Sequence, residues 1–175
     1  MAKHVADALS TVADEIIISV AKGKSGAYAE MIDADLRLVE DKSAELGPLE
    51  GLVRGFEAAR GKYVLVSPCD TPFLKKAVCE AVVAAAEGKD GAVPMTGSSY
   101  LEPLHGAYSR TTCLDAFRKV LSMGGRAPTE AYKGLEIVFL DERTLRTIDP
   151  ELQSFWNIND KDDLRKAEAQ LARLR

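Results

Sequence analysis

Apolar side chains follow two rhythms along this chain. Val5, Leu9 and Val12 recur at spacings of four and three, the period that lays one apolar stripe along a helix. Glu15-Ile-Ile-Ile-Ser-Val20 comes next, a continuous β-branched run of the kind buried on both faces of a parallel sheet. Gly23 and Gly26 end it, and the pattern then predicts a short helix over 27–32 and a strand over 36–40. Gly47-Pro48 breaks the chain and opens a helix, proline suiting a first turn, with Leu49, Leu52, Val53 and Phe56 on its apolar face. A strand is predicted over 63–66, a helix carrying Leu74, Val78 and Val82, and a short strand over 91–94. Residues 100–108 read as a strand or hairpin arm that Pro103 confines to an edge or a bend. A helix over 114–121, a glycine loop Gly124-Gly-Arg-Ala-Pro128 and a late strand over 136–140 follow. The chain closes on a helix whose apolar face is Leu164, Ala167, Leu171 and Leu174.

Strands alternating with helices imply right-handed βαβ crossovers and a mostly parallel sheet with helices on both faces. The expected class is α/β, as a single domain over 1–175, with no internal repeat, low-complexity tract or linker. In such a domain a strand feeds the first helix, and the turn between them is where glycines cradle phosphates. Here the helical period begins almost at Met1, with neither a strand nor a capping residue ahead of it.

Composition narrows the function. The 175 residues are 46% apolar and 29% charged, which is globular composition and enough chain for a real core. Lys and Arg number 23 against 27 Asp and Glu, a net charge of −4. That excludes a broad nucleic-acid surface, which needs massed basic side chains, yet leaves room for a small phosphate-bearing ligand. Cys69, Cys79 and Cys113 are odd in number and lack C-x-x-C spacing. They argue against a zinc site or disulfide framework and for a reducing cytoplasm. No apolar run approaches the roughly 20 residues that span a bilayer, so no membrane partner is expected. The opening MAKHVADALSTVADE is no secretory signal, because charged residues interrupt it and it has no h-region.

The most informative stretch is Ser67-Pro68-Cys69-Asp70-Thr71-Pro72, placed where the predicted strand 63–66 ends. Open α/β sheets bind ligands at the carboxyl ends of their strands. A carboxylate there can hold Mg²⁺, which takes one or two protein oxygens plus waters and substrate phosphates. Equally, Asp70 or Thr71 can cap a helix entered through Pro72. Cys69 reads as a small buried hydrophobe, not a nucleophile. Gly47, Pro48 and Leu49 stand at a loop-to-helix junction, where backbone N–H groups can bind anions or merely make a turn. Asp41 follows the second predicted strand and can accept hydrogen bonds from a base or ribose, or simply be solvated. Asn157-Ile-Asn159-Asp160 precedes the last helix, so a capping role is expected among these residues. The alternation of Asn157 and Asn159 puts both amides on one side of an extended segment. Arg126 can pair with a phosphate or lie in solvent, and His105 reads as a packed side chain. Gly23-Lys24-Ser25 is no phosphate loop, because the glycine needed five positions earlier is Ile18.

GPLEGL, SPCDTPFL, EPLHGAYSR and NINDKDDLRKAE, in this order and at these separations, resemble the molybdenum cofactor guanylyltransferases of the MobA-like family. The resemblance runs from about the first helix to the C-terminus. It implies a Rossmann-like nucleotidyltransferase fold that transfers GMP from GTP to molybdopterin, with Mg²⁺, giving molybdopterin guanine dinucleotide and pyrophosphate. It further implies Asp70 as metal ligand and, with Asn159, as catalytic residue. Asp41, Gly47, Pro48, Leu49 and Asp70 would contact the nucleotide, and Asn157 and Asn159 the acceptor; Arg126, read from its glycine loop and not from the resemblance, is the candidate for a substrate phosphate. A second copy of the chain, or proteins of molybdenum cofactor biosynthesis, are the partners to expect.

Two departures from the family pattern stand out. Ala21 occupies a place where relatives often carry asparagine, and the family's N-terminal glycine-rich segment, with its Arg and Lys, has no counterpart. That segment supplies a first strand, whose loss would leave an open central slot in the sheet with bare ladder groups. The expectation is therefore an internal Met1 and a working protein starting about 25 to 30 residues earlier, the length of a strand, a loop and half a helix. At the given length, catalysis would be poor even if GTP bound weakly. The alternatives are a cytidylyltransferase for the same pterin, a guanylyltransferase for phospholactate or cobinamide phosphate, and an inactive nucleotide-binding or scaffold protein.

Overall fold

Seven helices and seven strands are seen in residues 2–29, 36–42 and 47–173, the part described by a computed structural model. In order they are α1 (Ala2–Leu9), β1 (Ile17–Val20), α2 (Ser25–Ala29), β2 (Arg37–Glu40), α3 (Pro48–Ala58), β3 (Tyr63–Leu65) and α4 (Lys76–Ala86). They continue as β4 (Gly91–Thr96), β5 (Tyr100–Leu101), β6 (Ala107–Ser109), α5 (Arg110–Ser122), β7 (Ile137–Leu140), α6 (Glu142–Ile148) and α7 (Lys161–Arg173). Short 3₁₀ turns occupy Pro103–His105, Pro128–Ala131 and Gln153–Phe155.

Among these residues the strands make two ladders. β1 and β2 pair in parallel, from Ile17 opposite Arg37 to Val20 opposite Glu40. In the second ladder β6 lies antiparallel between β3 and β4. β7 adds in parallel to β4, and β5 folds back on the end of β4. β3, β4 and β7 thus run one way while β6 runs the other. The expected mostly parallel sheet is corrected on two points: one internal strand is reversed, and no ladder among the described residues joins β1–β2 to the rest. The reversal has a simple cause. A parallel return needs a crossover of about a dozen residues or more, and the short link from β4 to β6 is consumed by β5 and the turn at Pro103–His105.

Helices cover both faces, as expected. On one, Leu49, Leu52, Val53 and Phe56 of α3 pack with Val93, Tyr108, Cys113, Leu114 and Phe117. On the other, Val78, Val82 and Ala86 of α4 pack with Ala92, Ala107, Leu140 and Leu145. The neighbours Ala92 and Val93, like Ala107 and Tyr108, divide between the two clusters, following the two-residue alternation of a strand. α3 also packs on β1 and β2, so it ties the two ladders together.

Several local expectations shift. α6 is an addition, started by Asp141, whose carboxylate accepts the Thr144 N–H at 2.7 Å. Leu74 lies before α4 and not on it. The predicted helix over 27–32 corresponds to α2, and residues 30–32 lie outside the described residues, as does Leu174. Ala167 and Leu164 of the last helix do pack, against Phe73 and Ile158. No helix among the described residues is long and apolar enough to cross a membrane.

Candidate active site

The loop leaving β3 is held tightly to its surroundings. Val66 N–H donates to Gly106 O at 2.8 Å, and the fully buried Thr71 turns its hydroxyl to Pro68 O at 3.3 Å. These ties leave Asp70 half-buried at the strand exit, with Oδ1 buried and without a hydrogen-bond partner among the described residues. Neither Asp70 nor Thr71 caps α4, because that helix begins at Lys76 with Lys75 in the cap position. The capping alternative is therefore overturned by register. An unsatisfied buried oxygen costs about 1–3 kcal/mol, more when charged, and a bound cation would satisfy it. Among the described residues no three His, Cys, Asp or Glu side chains form a complete metal cage. The oxygen suits a hard cation that takes its remaining ligands from water and phosphate.

The segment 157–160 lies directly beside Asp70. Ile158 N–H donates to the Asp70 carbonyl at 3.0 Å. Ile158 is buried with Phe73 and Ala167, whereas Asn157 and Asn159 are exposed, so the alternation turns both amides outward. The cap of α7 falls to Asp160, whose Oδ1 accepts the N–H groups of Asp162 and Asp163 at 2.8 and 2.9 Å. Both asparagine side chains are thereby relieved of capping.

A second rim forms where β1 and β2 meet α3. Asp41 Oδ1 accepts from Ser19 Oγ at 3.2 Å. Partial burial raises the Asp41 carboxyl above its ordinary range, with the Ser19 bond opposing and the nearby Glu50 charge adding. Glu50 is itself buried and accepts the Lys42 N–H at 2.7 Å, which pins the Asp41 loop to the start of α3. Gly47 precedes that helix at φ 70°, a backbone region that favours glycine. A Cβ there would stand 3.6 Å from Arg126 Cβ, so the Gly47 turn and the Arg126 loop are neighbours, and the Arg126 side chain is exposed. Pro48 is exposed in the first turn, and the Leu49 side chain is wholly buried in the core. Leu49 can therefore face a ligand only through its backbone.

Other candidates resolve differently. The amides of Gly23 and Ser25 point to the Glu40 carboxylate, at 3.2 and 3.0 Å; a phosphate would meet a negative charge there. Cys69 is exposed, contrary to expectation, because the strand-exit loop carries it outward. Cys79 and Cys113 are the buried thiols, pushed up by burial to about 11 and about 12. His105 is packed as expected, its ring 5.0 Å from that of Phe155. Among the described residues neither ring nitrogen has a hydrogen-bond partner, the Glu102 carboxylate standing 3.7 Å from Nδ1. It lines a cavity of about 10 Å³ with Ser67, Leu74 and Val78, room for roughly one water.

Burial holds His105 down to about 4 from 6.5, outweighing the opposing influence of the Ser154 backbone. Between those values the unfolded chain binds a proton that the folded chain refuses, so stability falls as pH drops from 6.5 towards 4. The loss from this group is about 3 kcal/mol. Glu102, whose carboxyl is raised chiefly by burial, acts in the opposite sense over part of that range. Urea unfolding of His105→Leu at pH 4.5 and 7 should therefore show a clearly flatter pH dependence than the parent chain. An equal slope in both would refute the buried neutral state.

Sequence reasoning missed Ser19, Lys75, Asp149 and Ser154, none of which stands out by spacing. A sheet with one reversed strand, an acidic strand exit and a glycine-started helix at a second rim is the layout of a nucleotidyltransferase-type α/β domain. The profile of the MobA-like NTP transferase domain matches residues 1–135, and the chain belongs to that family. Over 169 residues it is 33% identical to the molybdenum cofactor guanylyltransferase of Desulfosudis oleivorans, a match covering 97% of this chain and 81% of that protein. Its fold is similar to the crystal structure of molybdopterin-guanine dinucleotide biosynthesis protein A from Archaeoglobus fulgidus. The TM-score is 0.75 at 25% identity, over 90% of this chain and 78% of that one. The 2-C-methyl-D-erythritol 4-phosphate cytidylyltransferase of Thermus thermophilus is similar in fold alone. Its TM-score is 0.71 at 20% identity, over 98% of this chain and 88% of that one.

Proposed function

We propose that this chain transfers GMP from GTP to molybdopterin, forming molybdopterin guanine dinucleotide and releasing pyrophosphate. The relatives' names point to this reaction, and one observation carries it to the residues: Asp70, whose Oδ1 has no partner among the described residues, is tied through its backbone carbonyl to the segment that presents Asn157 and Asn159. Mg²⁺ is the metal that fits, held by Asp70, and when bound it offsets charge on the triphosphate. Asn159 shares the catalytic role with Asp70. The guanosine end belongs to Asp41 and to the turn Gly47, Pro48 and Leu49, where the start of α3 supplies backbone donors and a favourable dipole. Asn157 and Asn159 orient the acceptor through their amides, and Arg126 pairs with a substrate phosphate. The chain works as one domain, and its free cysteines suit a reducing cytoplasm.

Pyrophosphate release should be measured with GTP or CTP, with and without molybdopterin, in Mg²⁺ or chelator. Release that needs GTP, acceptor and Mg²⁺ together is the expected result. CTP in place of GTP would move the assignment to a cytidylyltransferase. Nucleotide binding without release would make the chain a binding or scaffold protein.

Gly51 offers a narrower test. A Cβ on it would stand 3.1 Å from Ser19 Oγ and 3.6 Å from Asp41 Oδ1, inside the rim assigned to the nucleotide. Gly51→Val should weaken GTP binding by roughly tenfold or more, the scale of a lost pocket contact, in a calorimetric titration. Unchanged affinity would remove this rim from the nucleotide site.

A further inference from the structure

The segments that present Asp70 and the two asparagines are joined by more than one contact. At one end, Ile158 N–H meets the Asp70 carbonyl at 3.0 Å. In the middle, Trp156 stacks on Phe73 with ring centroids 5.3 Å apart and planes 8° from parallel. The other end is ionic. Asp149, fully buried, accepts Lys75 Nζ through Oδ1 at 2.7 Å and Ser154 N–H through Oδ2 at 2.8 Å. Ser154 Oγ in turn accepts the Lys75 N–H at 3.1 Å. Three bonds thus close a ring among residues 75, 149 and 154.

Such a ring is an expensive way to hold a fold together. Burying a carboxylate costs several kcal/mol, and an apolar contact of similar volume often stabilises as well or better. Charge-assisted bonds add something apolar packing lacks, a fixed distance and direction. Both segments that leave the ring run straight to proposed site residues. Lys75 lies five positions beyond Asp70, on the loop that Thr71 braces. Ser154 lies three positions before Asn157, in the turn Gln153–Phe155.

We infer that Lys75, Asp149 and Ser154 are positioning residues that hold the Asp70 carboxylate in register with the amides of Asn157 and Asn159. The inference rests on the proposed site, since without it the ring would position nothing that reacts.

The test uses the full chain with Asp149→Asn, Lys75→Met, Lys75→Arg and Ser154→Ala. Trp156 is the sole tryptophan and stands inside the junction, so its emission reports the junction without any ligand, as does hydrogen exchange at the Ile158 amide. Asp149→Asn and Lys75→Met should speed Ile158 exchange at least about tenfold and red-shift Trp156. They should also raise the half-saturating Mg²⁺ concentration and the acceptor KM by about tenfold, the scale of lost support behind a ligand. At saturating Mg²⁺ the KM for GTP, set mainly at the other rim, should move less than the acceptor KM. Lys75→Arg should recover most of what Lys75→Met loses. If Asp149→Asn fails to fold, Ser154→Ala keeps the Lys75–Asp149 ion pair and the Ser154 N–H bond and should shift the same readings in the same direction. A fall in melting temperature and kcat with unchanged Mg²⁺ dependence and acceptor KM would reduce the ring to a structural tie and overturn the inference. Unaltered Ile158 exchange and Trp156 emission would overturn it too. Should the parent chain turn over no GTP, the proposed function fails, while exchange and emission still decide whether the ring sets the junction.

Discussion

Replacing Asp70 with asparagine is expected to cut pyrophosphate release by about a hundredfold to a thousandfold while leaving the melting temperature unchanged or slightly raised. The two halves of this result have one cause. Asp70 Oδ1 is buried without a donor among the described residues, so in the absence of ligand that oxygen adds a desolvation cost and no compensating bond. Asparagine keeps the shape and removes the charge, which relieves that cost. In the reacting complex the same charge would hold the cation beside the triphosphate, and losing one preorganised electrostatic partner typically costs two to three orders of magnitude in kcat. Steady-state pyrophosphate release with an Mg²⁺ titration, alongside thermal melts, checks both halves. Activity within about threefold of the parent would remove Asp70 from the chemistry. A large fall in melting temperature would show instead that the carboxylate is a structural ligand of the fold.

Phe117→Ala should give the opposite profile, a loss of about 3–5 kcal/mol of folding stability. Phe117 is fully buried on α5 and meets Phe56 of α3 edge-on at 5.4 Å and Tyr108 of β6 at 5.6 Å. It is thus a central apolar contact through which α5 grips the helix that bridges the two ladders, beside the Arg118–Glu57 ion pair. Truncation leaves a cavity among rings that cannot all close on it. For a domain of this size each kcal/mol moves the melting point by about 2–4 °C, so a fall on the order of 10 °C is expected. GTP affinity of the remaining folded fraction should also drop, because α3 carries the Gly47 turn. A change below about 1 kcal/mol would mean that α3 and α5 are not mutually dependent.

The elements most legible in the sequence were those with an unbroken rhythm. The apolar faces of α3 and α4 and the β-branched run ending in β1 need no partner to be read, since burial selects their spacing wherever they end up. The class α/β, with helices on both faces, followed from their alternation. Less legible were features fixed by connection length and by contacts between distant residues. The reversal of β6 depends on how little chain separates it from β4. α6 was overlooked although Asp141 and Thr144 form an ordinary capping pair, because the segment is short and carries little apolar period.

The candidate site divides in the same way. Asp70, Asp41, Gly47, Asn157 and Asn159 were noticed as residue types at strand ends and helix starts, which are local properties, and the resemblance to the family gave them their roles. Cys69 was misjudged because burial of a small side chain depends on what covers it, and nothing covers the tip of that loop. The resemblance nominated Leu49 beside the nucleotide, while its place on the apolar face of α3, also read from the sequence, claims its side chain for the core.

Local sequence, then, determined where the backbone can begin and end its regular elements and which residue types stand at those junctions, because dihedral preference and periodicity act within a few positions. Tertiary structure alone decided that residues 70 and 158 share a hydrogen bond, that Lys75 reaches a carboxylate 74 positions away, and that one oxygen of Asp70 is left without a donor among the described residues. Those facts depend on which groups are shielded from water together, and burial is a property of the assembled chain.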